Sequence, residues 1–232
     1  YYLDSNVGDN KLVYINNISL YGPSATNYKV SISGMAYGSI YQAPLIVNWY
    51  ATSKNYDNTV MPNYYYTISG IFKPDIIDIS NIYSIYYIDK NVGNNKLIFI
   101  NNISLIGSKY FNYFTSISAI IIANIYPKPI TMNFYLNDKV YDGTTSIILS
   151  SYSFNDVFIT DSIDISNNYS MNFINKNVEQ NKLVLYSNLK LIGPSSNNYY
   201  ITPSGSLFAN LNQRQITVNF YNLKNINKLI IY

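Results

Sequence analysis

The stretch "NVGDNKLVYINNISLYG" at residues 6–22 returns as "NVGNNKLIFINNISLIG" at 91–107 and as "NVEQNKLVLYSNLKLIG" at 177–193. A spacing of about 86 residues constrains the chain more than any short motif inside it, because what one copy folds into, the others must fold into as well. An Asn-Tyr pair follows in each copy, at Asn27-Tyr28, Asn112-Tyr113 and Asn198-Tyr199. Next come "LIVNWY", "ITMNFY" and "ITVNFY", ending at Tyr50, Tyr135 and Tyr221. "NYDNT" at 55–59 is answered by "YDGTT" at 141–145, and "DIIDIS" at 75–80 by "DSIDIS" at 161–166. Cutting before the Asn-aromatic-Tyr segment predicts complete modules at 44–129 and 130–215. The C-terminal part of another module occupies 1–43, and the start of a divergent one 216–232. A half-module cannot close its own core, so the natural protein is expected to be a longer array.

The recurring segments alternate as strands do. One parity of "LIVNWY" and its relatives carries Leu45, Val47, Trp49, then Ile130, Met132, Phe134, then Ile216, Val218, Phe220; the other carries Asn48, Asn133 and Asn219. That is a period of two with one buried face. The segment after the Asn-Tyr pair keeps its parity too, with Ala36, Gly38, Ile40 matched by Ile121, Ala123, Ile125 and by Leu207, Ala209, Leu211. Strands punctuated by Gly-Pro and Asn-Asn, without helical periodicity, predict an all-β fold. The expected form is a tandem of small antiparallel β-sandwich modules, Ig-like or related. "YPKPIT" at 126–131 passes from one module into the next with two prolines and no Gly/Ser linker, which predicts a stiff, extended rod.

Composition removes whole classes of function. With no cysteine there is no disulfide and no thiolate metal site; with no histidine there is no Ser-His-Asp or Cys-His catalysis and no His-ligated zinc. A net charge of +3, spread without a Lys/Arg cluster, leaves no footprint for nucleic acid. The densest apolar run, around Ile120, Ile121 and Ile122, is too short to cross a bilayer, so no membrane insertion by this segment is expected. Only 12% of residues are charged, and solubility rests on amides and hydroxyls.

"KVYDGTT", "DVFITDSIDIS", "KNVGNNKL" or "KNVEQNKL", "LIGPSSNNY" and "PKPIT" together resemble the YDG-type repeat, related to the MBG-type repeats of large bacterial surface proteins similar to filamentous haemagglutinin. The resemblance spans essentially the whole chain, as two full and two partial copies. It departs from the pattern at Asp57-Asn58, at Glu179 in place of the glycine of "NVG", and at Asn227, where the motif is lost. It implies a non-enzymatic, mostly-β stalk or adhesive fibre, extracellular on a cell or virion surface. The alternative is a self-assembling filament or virion-surface fibre. Implied partners are a host glycan or protein and other copies of the chain; no cofactor, catalytic residue or metal site is implied.

Individual residues read as follows. Asp142 with Gly143, Thr144 and Thr145 has the makings of a phosphoaspartate or metal loop. The twin Asp57-Asn58-Thr59 exchanges Gly for Asn, the two residues that best tolerate positive φ, so a tight turn is expected. Asp75/Asp78 and Asp161/Asp164, with Asp156 nearby, lack calcium-loop spacing and read as solvated turn carboxylates. Lys11, Lys96 and Lys182 recur at one position and read as edge-facing lysines that block strand addition, against the alternative of a Lys-Asn amide crosslink. Asn17-Ile18-Ser19 and Asn102-Ile103-Ser104 are N-glycosylation acceptors, which the third copy, Asn188-Leu189-Lys190, has lost. Most of the 27 tyrosines are expected to pack on strands. Clusters that differ between copies, Tyr64-Tyr65-Tyr66 and Tyr110-Phe111 with Tyr113-Phe114, are the expected binding surfaces.

Overall fold

The computed structural model describes residues 1–31 and 34–219. The chain is all-β: among the described residues the only helical elements are single 3-10 turns ending at Asn27, Asn112 and Asn198. It divides into two units. The first comprises 1–54 with 59–126, and the second 127–232 with the short segment 55–58.

The first unit opens with β1 (Gly8–Val13) and β2 (Ala36–Ile40), an antiparallel pair. Next come β3 (Ala43–Pro44), β4 (Ile46–Thr52), β5 (Lys54–Asn55) and β6 (Asn63–Ser69). They are followed by β7 (Ile77–Ile79), β8 (Ser84–Tyr87), β9 (Gly93–Asn101) and β10 (Leu105–Gly107). β11 (Tyr113–Phe114) and β12 (Ser118–Tyr126) close it. The second unit holds β13 (Lys128–Pro129), β14 (Thr131–Leu136), β15 (Lys139–Val140), β16 (Leu149–Asn155) and β17 (Asp164–Ile165). It continues with β18 (Ser170–Phe173), β19 (Glu179–Ser187), β20 (Leu191–Ile192), β21 (Tyr199–Tyr200) and β22 (Gly205–Asn212).

Apart from the β1-β2 pair of the first unit, the pairing scheme of one unit is the scheme of the other among the described residues. The sheet β5-β12-β9-β8 answers to β15-β22-β19-β18, the hairpin β4-β6 to β14-β16, and β7-β10 to β17-β20. The short parallel pair β3-β11 answers to β13-β21.

Alternation fills the core as the parity predicts. Leu45 and Trp49 are buried while Ile46, Asn48 and Tyr50 face out; Ile130 is buried while Asn133 and Tyr135 face out. Leu45, Ile77 and Tyr113 form one cluster with Ala43, Ile68, Ile71 and Leu105. On the central strands Ile98, Ile100 and Val184 have no exposed surface, each burial worth roughly 1.5–3 kcal/mol. The third "ITVNFY" departs from expectation: residues 213–219 carry no strand, and Ile216 and Val218 are exposed. In the other copies the ladder partner is the strand after the following turn, and the corresponding residues fall outside those described. Phe220 and most of the expected divergent module at 216–232 lie there too.

Asparagine does backbone work throughout. Asn10, Asn95 and Asn181 have φ near +50°, and Asn17, Asn102 and Asn188 are likewise left-handed, a region that excludes most side chains but tolerates Asn. The first three sit in a bulge before the recurring lysine. There the extra residue's N–H is met by the partner strand's Asn: Asn95 donates to Asn124 Oδ1 (2.7 Å) and Asn181 to Asn210 Oδ1 (2.8 Å). Asn188 keeps this geometry although its glycosylation triplet is gone, so the backbone accounts for the repeat of this asparagine.

Candidate functional site

"Lys-x-Tyr-Asp-(Asn/Gly)-Thr" closes a loop around its own lysine. Lys54 Nζ donates to Thr59 O (3.0 Å), Thr59 Oγ1 (3.1 Å) and Met61 O (2.7 Å). Lys139 Nζ donates in the same pattern to Thr144 O (3.3 Å), Thr144 Oγ1 (2.7 Å) and Ser146 O (2.5 Å). Within the second loop Asp142 Oδ1 accepts the Thr144 N–H (2.9 Å) and hydroxyl (2.8 Å), and Lys139 Nζ lies 3.0 Å away. These bonds, the Thr144 N–H first and Lys139 next, pull the Asp142 carboxyl down to about 2. Asn58 and Gly143, the exchanged pair, both have positive φ, +64° and +85°. Asp142 lines a shallow open depression with Asp138, Ser146 and Ile147, but its oxygen is already committed to the turn. The loop is a rigid tip that carries a tyrosine.

That tyrosine has a specific seat. In the second unit Tyr56 is 2% exposed, and its hydroxyl donates to Asp161 Oδ2 at 2.8 Å. Tyr199 donates to the same oxygen at 2.5 Å and accepts the Phe158 N–H at 3.1 Å. The Tyr56 ring meets Phe158 and Tyr199 edge-to-face, with centroids 5.7 and 5.5 Å away, the arrangement that ring quadrupoles favour. Beside it the Asn58 amide donates to Thr160 Oγ1 at 3.1 Å. Lys128 Nζ stands 4.3 Å from the Phe158 ring centroid and donates to Asp156 O. Burial, then the bond to Asp161, pushes the Tyr199 phenol up to about 12 and moves Tyr56 upward as well.

The first unit builds the same cradle from Phe72, Asp75 and Tyr113. Tyr113 donates to Asp75 Oδ2 (2.8 Å) and accepts the Phe72 N–H (3.1 Å). Lys109 Nζ lies 3.8 Å from Asp75 Oδ1. Val7 N–H donates to Asn112 Oδ1 (2.8 Å) on its flank. Phe72 here is 67% exposed.

Of the acidic pairs, Asp78 and Asp164 are exposed and Asp75 and Asp161 half-buried, and all four carry specific hydrogen-bond partners. Asp75 and Asp161 accept Tyr113 and Tyr199; Asp78 and Asp164 accept Tyr66 and Tyr152, and each also accepts the N–H of the next residue. A carboxylate with several lone-pair sites serves a phenol and a backbone donor together. Among the described residues no three His, Cys, Asp or Glu side chains stand close enough to hold a metal ion.

Two of the recurring lysines are not on edge strands, whereas Lys11 lies on β1 of the two-stranded sheet β1-β2. Lys96 and Lys182 lie on β9 and β19, which run between β8 and β12 and between β18 and β22. The bulge turns each toward a group seven residues back: Lys96 Nζ is 2.6 Å from Asp89 Oδ1, and Lys182 Nζ is 2.9 Å from Asn175 Oδ1. Lys11 makes the same bond to Asp4. In the third copy Asn replaces that aspartate, and Glu179, in place of glycine, supplies the carboxylate at 2.8 Å instead. Asn175 offers Lys182 its amide oxygen as an ordinary acceptor.

The tyrosine clusters divide. Tyr64 and Tyr66 pack on Trp49 with Tyr83, whereas Tyr65 stacks outside on Tyr50 at 4.8 Å. Tyr113 is buried; Tyr110, Phe111 and Phe114 are exposed. The Tyr56 seat has no signature in sequence periodicity; its one signal is that Phe-x-x-Asp and Asn-Tyr recur together in both copies.

Comparison with protein families now bears on the second unit, where the Tyr-Asp-Gly loop and the cradle residues lie. Residues 126–206 contain a YDG domain. No curated protein and no solved structure gives a match. The YDG domain takes in the Lys139–Thr144 loop, Phe158, Asp161 and Tyr199, so the loop and the cradle both belong to it. Among the described residues no helix is long and apolar enough to cross a membrane.

Proposed function

We propose that this chain is a non-enzymatic spacer from an extracellular surface protein, a stalk or adhesive fibre in which 44–129 and 130–215 are successive YDG modules of small β-sandwich type. The observation that supports it most is the recurrence of one strand-pairing scheme, with the same tyrosine-aspartate cradle, in two consecutive units, one of which matches the YDG domain. Acids that a hydrolase would keep for substrate are bound here to tyrosine hydroxyls, threonine and lysine. Pro127 and Pro129 fix φ on either side of Lys128 where one proposed module passes into the next, a composition that suits a spacer better than a flexible linker. The spacer holds a tip or a varying aromatic patch, such as Tyr110, Phe111 and Phe114, away from its anchor, where a host glycan or protein meets it.

The test uses cells of the source organism and an antibody to the chain. The expected outcome is labelling of intact cells or virions, lost after brief surface proteolysis, with electron micrographs of the purified protein showing a beaded rod. Signal confined to permeabilised cells, or a compact globule in micrographs, contradicts the reading.

A further inference from the structure

We propose that the outer face of strands β12-β9-β8 is an interface on which a second copy of this chain packs, sheet against sheet. An antiparallel sheet with one solvated face alternates apolar and polar residues, whereas a strand covered on both faces reads as an unbroken apolar run. The central strand β9 is of the second kind, with Leu97, Ile98, Phe99 and Ile100 in sequence, and its partner β12 carries Ile120, Ile121 and Ile122. Ile98 and Ile100 are fully buried. The other parity faces out: Tyr86 stands across from Phe99, Phe99 from Ile120 and Leu97 from Ile122, and Ile88 donates its N–H to the Leu97 carbonyl beside them. Ile120 is 61% and Ile122 55% exposed, and Tyr86, Ile88 and Leu97 are exposed as well. Phe99 is half-buried against the Tyr86 ring, with centroids 5.9 Å apart.

The face recurs in every copy. In the second unit Leu183 stands across from Phe208 and Leu185 from Ser206, with Ile174 alongside; Ile174, Leu185 and Phe208 are exposed. In the N-terminal copy Leu12 pairs with Tyr37, and Leu3, Tyr14 and Met35 are exposed at the positions of Ile88, Phe99 and Ile120. The face is open in the middle copy, which another copy follows, and in the copy after it, which another precedes, so its exposure does not come from where the chain begins or ends. The six side chains of the first unit present on the order of 500 Å² of apolar surface, as much as the largest patch of a typical monomer but short of the roughly 800 Å² per partner that a stable interface buries. Two such faces together reach that area. A second copy of the chain offers faces at the same spacing of about 86 residues, so each engaged module raises the effective concentration for the next, whereas a partner without the repeat meets one face at a time. None of the positions named is charged, so like faces meet without repulsion. Identical faces make the contact isologous, and it closes at a dimer. This goes beyond the surface-spacer reading and does not depend on where the protein resides.

Sedimentation velocity on the 232-residue chain over a concentration series tests it, with Ile120→Thr/Ile122→Thr as the first variant. Threonine keeps the β preference of an exposed strand position and removes apolar surface. The wild type is expected to pass from monomer to dimer, and the double variant to weaken dimerisation about tenfold or more at unchanged far-ultraviolet circular dichroism. Tyr86→Ser, on the outer strand β8, repeats the test at a second position and should weaken dimerisation as well. Leu185→Thr, on the face that already carries Asn172 and Ser206, should weaken it less, and Tyr65→Thr, at an exposed ring of the hairpin β4-β6, should leave it unchanged. A wild type that stays monomeric throughout overturns the proposal, as do face variants that dimerise like the wild type or a Tyr65→Thr that loses as much as they do. A monomeric chain that floats with phosphatidylcholine vesicles assigns the face to a lipid surface and overturns it too. Surface labelling of intact cells is independent of every one of these outcomes, so failure here and failure of the spacer reading are told apart.

Discussion

The two cradles share residue types and internal hydrogen bonds yet differ in what Phe72 and Phe158 experience. Phe158 meets Tyr56 edge-to-face and has the Lys128 ammonium over its ring, while Phe72 is largely exposed. The difference teaches that the cradle does not require its tyrosine in order to form, because Tyr113 and Asp75 hold each other regardless. What the tyrosine adds is burial and a second charge-assisted bond. The largest expected effect follows at once. Tyr56→Ala removes a fully buried ring and should destabilise the second unit by about 3 kcal/mol, against less than about 0.5 kcal/mol in the first unit for Phe72→Ala. The chain's one tryptophan, Trp49, lies in the first unit, so its fluorescence follows that unit alone, while far-ultraviolet circular dichroism follows both. Tyr56→Ala should move the dichroism transition and leave the Trp49 transition in place; equal movement of both removes the distinction between the cradles.

The lysine sites sharpen the same comparison at a smaller scale. Lys96 has one aspartate; Lys182, 1% exposed, divides its bonds between an asparagine and a glutamate. Removing Asp89 strands a nearly buried ammonium, so Asp89→Ala should cost about 2 kcal/mol in urea denaturation. Glu179→Gln leaves both hydrogen-bond acceptors in place and should cost about 1 kcal/mol or less. Returning the third copy to the pattern of the others, with Asn175→Asp and Glu179→Gly together, should restore what Glu179→Gln loses. Failure of that rescue means the two positions do not compensate each other.

Much of this was open to the sequence, and what was hidden had a physical reason. Leu45, Val47 and Trp49 announce a half-buried strand because β side chains alternate, and Asp57-Asn58 beside Asp142-Gly143 announces a turn because both exchanged residues accept positive φ. The destination of Tyr56 was hidden because a contact across about a hundred residues leaves no local period. The lysines misled because one left-handed asparagine, Asn95 or Asn181, inserts a bulge and re-aims the side chain from an apparent edge into a central ladder. Asn188 was read through its lost glycosylation triplet when its φ of +58° was the constraint. Asn188→Ala should accordingly cost about 1 kcal/mol in thermal unfolding and Asn188→Gly close to nothing; equal losses would mean that the side chain and not the backbone is what matters there.

The central claim is that the tyrosine of the Tyr-Asp-Asn turn is a buried hydrogen-bond donor to Asp161. A phenol whose folded pKa is raised contributes stability that is complete below the ordinary value near 10 and is lost as pH climbs through the folded value. Burial first, and the Asp161 carboxylate second, raise Tyr56 in this way, and Tyr199 to about 12. Carbon-13 NMR of tyrosine-labelled protein, with Tyr56 assigned through Tyr56→Phe, follows each phenol through an alkaline titration. The account expects Tyr56 to stay protonated after solvent-exposed phenols have ionised, and to ionise only as the second unit unfolds; a Tyr56 resonance that titrates near 10 with the unit intact would contradict it.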